Sequence, residues 1–469
     1  MQTSVVSQSS VDATQARGFE RTLADWHGLI DRPAPDADAL VANLQALYQA
    51  IYTKDFNDLQ VGDVSHLAHA AIEDLFDLGL RLRDRMPEWR QQGLLTPAAA
   101  TAARNAIRVL RYTCDIVGEV ANGYQRLAPG DNTHAGFAGP SHWTLMHPDR
   151  TLGERPQVRS GDVLLVRGQL ANSAAIARVG DVDSQFSHVG IVHIGEDGRR
   201  WMVEALIEDG ATLTLLEQAL GHGLGRAILY RHRDQQLAAR AARLIHDRVA
   251  ASRRAGGRWI PYDFSMELHG SDELFCAKLV RLAYQEASQG GVLLPTFHTR
   301  IDMKNRDFVE RIGVTAVETF APADLEVEPG FDVVAEWRDY RVTSKLRMQD
   351  LIMSKLFDWM DAHGYVFEED AGIRAIEVLG GISAMMPGFL KDWLQPRVPK
   401  VPSNMTTRTI GAIAMLHKTA EPILEHLLAL EAERIEETGR PLHPREAQLE
   451  LEKMRRAGNG RIGYLVVKA

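Results

Sequence analysis

The stretch Phe186-Ser187-His188-Val189-Gly190-Ile191-Val192-His193-Ile194 decides how this chain of 469 residues folds. Its branched apolar residues predict a buried β-strand, since such side chains pack well on a pleated surface. Gly195-Glu196-Asp197-Gly198 follows as a turn, and Trp201 to Ile207 supplies the second arm of a hairpin. Upstream, Gly161-Asp162 opens the apolar run Val163-Leu164-Leu165-Val166; downstream, Thr212 to Leu215 and Ala227 to Tyr230 predict two more strands. Helices come next. Gln235 to Ser252 carries Leu237, Ala241, Leu244, Ile245 and Val249 on one face, and after the aromatic segment Trp259 to Phe264 another helix starts near Cys276. Strands first and helices after predict an α+β domain over residues 160–341.

The flanks have a different texture. Residues 19–127 show apolar spacing of three and four, as in Leu40, Leu44, Leu47 and Ile51, and predict a helical region that includes a long helix after Thr96-Pro97. Residues 128–159 are rich in glycine and proline and predict a linker. Residues 342–469 return to helix, interrupted by the basic, proline-rich break Gln395 to Pro402. Residues 1–18 are polar, without the charged and apolar segments of a secretory signal, and are expected to form a disordered arm. No apolar run reaches the length of a conventional membrane span. The expected location is therefore the cytoplasm, or outside it by a signal-independent secretion system. A net charge of −9 argues against a nucleic-acid partner. Cys114 and Cys276 give neither a disulfide framework nor a metal-ligand spacing, and no cofactor is implied.

Strand alternation puts His188, Gly190 and Val192 on one face, and Val189, Ile191 and His193 on the other. In the next strand Met202, Glu204 and Leu206 share a face, so Glu204 is a carboxylate among large apolar neighbours that a hairpin would bring beside His188. Gly190 leaves room there for substrate or another side chain. A thiol becomes a good nucleophile as the thiolate, which an imidazole or a helix N-terminus favours, and Cys276 has both within reach. His188 can take the thiol proton, Glu204 can orient the imidazole, and first-turn N–H groups can face an oxyanion. Cys114, inside a helix among Leu110, Ile116 and Val117, reads as a structural thiol. His66 and His69 have helical spacing but no third ligand, so a surface role is expected. Asp181-Val182-Asp183-Ser184 lacks the glycine of a calcium loop. Arg253, Arg254 and Arg258 read as a solvated helix end, and Asp263 as a turn cap.

Taken in order, Gly161-Asp162-Val163-Leu164, Phe186 to Val192, Val203-Glu204-Ala205, Pro261-Tyr262-Asp263-Phe264 and Phe275-Cys276-Ala277-Lys278-Leu279-Val280 resemble the circularly permuted NlpC-type, papain-like cysteine hydrolases. The match looks closest to their YiiX-like branch, with lecithin:retinol acyltransferase a more distant relative. In that branch the histidine strand precedes the cysteine helix, as here. The resemblance covers residues 160–341 and implies Cys276 as nucleophile, His188 as base and Glu204 as the orienting residue. Tyr262, Phe275 and Asp162 are further candidates for contact with substrate or oxyanion. The family form after the cysteine is Ser-Glu-Leu, whereas this chain has Ala277-Lys278-Leu279. The expected activity is hydrolysis or acyl transfer through an acyl thioester. An acyl lipid is the expected substrate, with peripheral membrane contact; a peptidoglycan stem peptide is the alternative, and a non-catalytic partner-binding module is a third reading. A bacterial effector or toxin with an immunity or delivery protein is a setting the resemblance allows.

Overall fold

The computed structural model describes residues 19–54, 65–128, 130–134, 136–149, 155–178, 180–221, 223–301, 306–385 and 404–468. The arm over residues 1–18 and the break Gln395 to Pro402 lie outside these, as does the side chain of His66.

The chain opens with helices α1 (residues 19–31), α2 (Ala37–Tyr52), α3 (Ser65–Asp84), α4 (Met86–Gln91) and α5 (Pro97–Ala121). The start of α5 follows from its sequence: Thr96 is extended, its hydroxyl accepts from Ala99 N at 3.3 Å, and Pro97 occupies a first-turn position that needs no N–H. The segment expected as a linker is partly structured, because β1 (Thr144–Met146) joins the sheet. Then come β2 (Val163–Gly168), α6 (Ala171–Ile176), β3 (His188–Ile194), β4 (Arg200–Leu206), β5 (Gly210–Leu215), α7 (Leu216–Leu220), β6 (Leu224–His232), α8 (Gln235–Ser252) and α9 (Cys276–Ala287). A small pair, β7 (Thr299–Arg300) and β8 (Glu318–Thr319), flanks α10 (Arg306–Arg311) and precedes β9 (Phe331–Arg338).

The central sheet has the order β1-β9-β6-β2-β3-β4-β5, and every neighbouring pair is antiparallel. Strands first and helices after describes most of it. The exception is β9, which follows the helices and inserts between β1 and β6. Helices α8 and α9 pack against each other and on β3 and β4. Gly161 allows α8 to come this close: a Cβ there would lie 2.4 Å from Ala238.

The N-terminal helices share one hydrophobic core with the sheet. They are also tied to it by buried charges. Arg111 of α5 contacts Glu336 at 2.6 Å and Glu326 at 2.7 Å, while Asp115 meets Arg226 and Arg338. Charges removed from water are tolerated only when paired in this way.

The C-terminal region contains α11 (Thr343–His363), β10 (Tyr365–Phe367), α12 (Ala371–Met385), α13 (Thr407–Thr438), α14 (Pro444–Ala457), β11 (Arg461–Ile462) and β12 (Leu465–Val467). It is helical, with a three-stranded sheet β10-β12-β11 added at its edge. Its separate core also takes in Ala171, Ala174 and Ala175 of α6 and Phe308 of α10. Among the described residues no helix is long and apolar enough to cross a membrane.

Candidate active site

The β3–β4 hairpin builds one half of the site. Ile191 pairs with Val203, and continuing that register by one step sets Gly190 opposite Glu204. His188 is then the diagonal neighbour of Glu204, within reach of a long side chain. Its Nε2 lies 2.7 Å from Glu204 Oε2. The space at Gly190 is filled by a protein side chain, since a Cβ there would come within 2.6 Å of Met202 Cε.

Helix α9 supplies the other half. Phe275 is its cap residue, with extended backbone and no side-chain capping bond, and Cys276 is the first helical residue. First-turn N–H groups therefore stay uncapped by a side chain beside the sulfur. The far end of the helix is fixed by Tyr284, whose hydroxyl donates to Gly161 O at 2.9 Å and whose ring packs against His232 and Phe331.

The imidazole joins the two halves. Glu204 occupies Nε2, and the ring also interacts with Cys276, which leaves Nδ1 as the nitrogen available to the sulfur. Burial alone would lower the His188 pKa. The bonds and charges of Cys276 and Glu204 overcome it and push the value up to about 10. The imidazole is therefore protonated through neutral pH.

The segment before α9 is held by backbone pairing: Leu274 N donates to Pro261 O at 3.0 Å, and Asp263 N to Leu274 O at 3.3 Å. This sets Tyr262 beside Phe275 and Cys276 in the lining of one cavity. Burial, followed by the charge of Cys276, holds Tyr262 well above its usual pKa, so it remains a neutral phenol. Asp263 caps its turn, accepting from Ser265 N at 2.9 Å. It does more than cap. Its other oxygen accepts from Lys278 Nζ at 2.6 Å, and both residues are buried. The basic residue that replaces the family's acid therefore has its own acid fifteen residues upstream, while Ala277 is packed without exposure.

The cavity measures about 130 Å³ and is almost entirely apolar, with Ile207, Phe264, Phe308, Phe320, Ile413 and Leu416 in its walls. Asn172, also in the lining, has a buried Oδ1 without a hydrogen-bond partner. Sequence reading missed Asn172, the α13 residues and the pairing of Lys278 with Asp263.

Other candidates fall elsewhere. Asp162 does not offer its carboxylate to substrate: both oxygens are engaged by Arg231, at 2.8 and 2.7 Å, and Arg159 N adds a third bond. A fully hydrogen-bonded, buried carboxylate has no donor to give an oxyanion. His69 is half-buried, not a surface residue, and stacks on His142 at 4.2 Å. Arg253, Arg254 and Arg258 are exposed, as expected of a solvated helix end, and Arg253 also donates to the carbonyls of Asp209 and Ala211. Asp183 pairs with Arg108 at 3.0 Å. Cys114 is buried, and burial raises its pKa to about 11.

A sheet that carries a histidine and a carboxylate, faced by a helix that starts on a cysteine, is the arrangement of a papain-like cysteine hydrolase. Residues 157–334 match the family described as permuted papain-like amidase enzyme, YaeF/YiiX, C92 family, and this central domain belongs to that permuted, YiiX-like group. No curated protein and no solved structure matches the chain.

Proposed function

We propose that the protein is a cysteine hydrolase that removes an acyl chain from a lipid amide or ester. One observation carries the reading: His188 touches both Cys276 and Glu204, and Cys276 opens into an apolar cavity. The thiolate of Cys276 attacks the acyl carbonyl and forms a C–S bond, and the carbonyl oxygen becomes an oxyanion facing the first turn of α9. Collapse breaks the bond to the leaving nitrogen or oxygen, which takes the proton from His188 Nδ1. The acyl group is then a thioester on Cys276. Water, giving its proton to His188, attacks the thioester; expulsion of the thiolate releases the acid. Glu204 keeps the ring aligned through both halves.

The cavity favours an acyl chain over a peptidoglycan stem peptide, because a peptide's polar groups would be buried against walls that offer few partners. The test is incubation of purified protein with phospholipids, N-acyl lipids and, separately, peptidoglycan, followed by mass spectrometry. Free fatty acid is the expected product, and Cys276→Ala and His188→Ala each abolish it without loss of folding. Turnover retained in either variant, or cleavage of peptidoglycan alone, overturns the reading.

A further inference from the structure

We infer that α13, outside the permuted papain-like domain, forms a wall of the substrate cavity and limits the length of acyl chain it accepts; the inference rests on the acyl-hydrolase reading above. Thr409, Ile413 and Leu416 lie at positions i, i+4 and i+7 of α13, hence on one face, and all line the cavity that contains Cys276. The family match ends at residue 334, so this wall is added by the chain's own C-terminal region.

Its position is fixed at several points. Asn404 Nδ2, just before α13, donates to Tyr262 O at 2.7 Å, and the Thr409 hydroxyl donates to Arg311 O at 3.2 Å. Helix α6, which packs against α13, turns Ala171, Ala174 and Ala175 into the C-terminal core, while its Asn172 and Ile176 also line the cavity. The start of α13 is thus tied to the catalytic end. From there the helix advances away from Tyr262 by ~1.5 Å per residue, so Thr409 to Leu416 span roughly 10 Å of wall. The exposed Ile176 and His417 mark where the cavity meets solvent.

Size sets the expected chain. A cavity of about 130 Å³ holds roughly four waters at about 30 Å³ each. A methylene occupies about the space of one water, so a chain of roughly four to six carbons fills it. Ile413, half-buried and midway along the wall, is the residue whose size should control this limit.

The experiment uses full-length Cys276→Ala protein, titrated calorimetrically with acetic, hexanoic and decanoic acids. Hexanoic acid is expected to bind tightest. Adding Ile413→Trp should lower the affinity ratio of hexanoic to acetic acid at least tenfold, and Ile413→Ala should raise the relative affinity for decanoic acid. The two substitutions act in opposite directions, so the alanine variant decides the matter if the tryptophan variant does not fold. Failure of all three acids to bind, or an unchanged chain-length profile in folded Ile413→Ala protein, overturns the inference. Fatty-acid binding with the expected profile, but no acyl release from any lipid by the native protein, overturns the proposed reaction and leaves the wall intact.

Discussion

Replacing Lys278 with methionine tests how much the buried pair with Asp263 holds together. The two charged groups are 2.6 Å apart at their closest atoms, and both residues are about 4 % exposed or less. Unit charges about 4 Å apart attract by roughly 4 kcal/mol at an effective dielectric near 20. Removing one partner from such a pair costs about 3–5 kcal/mol, because the other charge stays buried. Asp263 keeps its bonds from Ser265 N and Oγ, which puts the expected loss at the lower end, about 3 kcal/mol. For a domain of this size that is a fall in Tm of about 6–12 °C. The assay is a thermal melt of Lys278→Met, Asp263→Asn and the double variant, followed by circular dichroism. The double variant should be more stable than the sum of the singles predicts, by about 1–3 kcal/mol. Because Asp263 adjoins Tyr262, Lys278→Met should also change the rate at which iodoacetamide alkylates Cys276. Additive losses, or a single variant as stable as the native protein, would refute the reasoning.

Three further outcomes follow from the geometry around the sulfur, and a fourth from the Asp162 pair elsewhere in the fold. Cys276→Ala removes the partner that does most to raise the His188 pKa, so an NMR titration, assigned by comparison with His188→Asn, should show the value falling from about 10; an unmoved value contradicts the contact. The folded pKa lies above the unfolded value of 6.5, so the stabilisation is complete below pH 6.5 and disappears as pH rises through about 10. His188→Asn should therefore flatten the pH dependence of stability across that window. Glu204→Ala deletes a charge-assisted bond worth about 1.5–3 kcal/mol and should slow alkylation of Cys276 at pH 7 by about 10- to 100-fold, measured by intact-mass kinetics. An unchanged rate would mean that Glu204 does not position the ring. Asp162→Asn breaks the pair with Arg231 and should destabilise the fold by about 3 kcal/mol, with alkylation of Cys276 within twofold of native.

The strands and helices that carry Cys276, His188 and Glu204 were legible because their signals are local. Alternation sorted the faces of β3 and β4, and the turn at Gly195 to Gly198 fixed the hairpin that brings Glu204 to His188. β9 was not legible. Its Asp332, Glu336 and Arg338 are buried although they are charged, and their partners Arg233 and Arg111 come from elsewhere in the chain, with Asp115 also on α5. A strand whose polar residues are neutralised by distant partners has no amphipathic pattern of its own. β1 was lost for a related reason: three residues amid glycine and proline take their identity from pairing with β9.

The site shows the same division. Lys278 departs from the family's acid, and sequence spacing cannot show that a compensating carboxylate stands at Asp263, since contact depends on how residues 261–263 pair with Leu274. In α13 the obstacle is different. The spacing of Thr409, Ile413 and Leu416 reads equally as a helix face buried in its own core, which is what most of α13 does in contact with α11 and α12. What distinguishes these three is the hollow in front of them, bounded on its other sides by residues as remote in sequence as Asn172 and Tyr262. A cavity is defined by what its walls fail to fill, so no single segment encodes it. The candidate nucleophile Cys276 can therefore be read from short motifs, whereas the proposed limit on an acyl chain follows only from how the C-terminal region seats against the central domain.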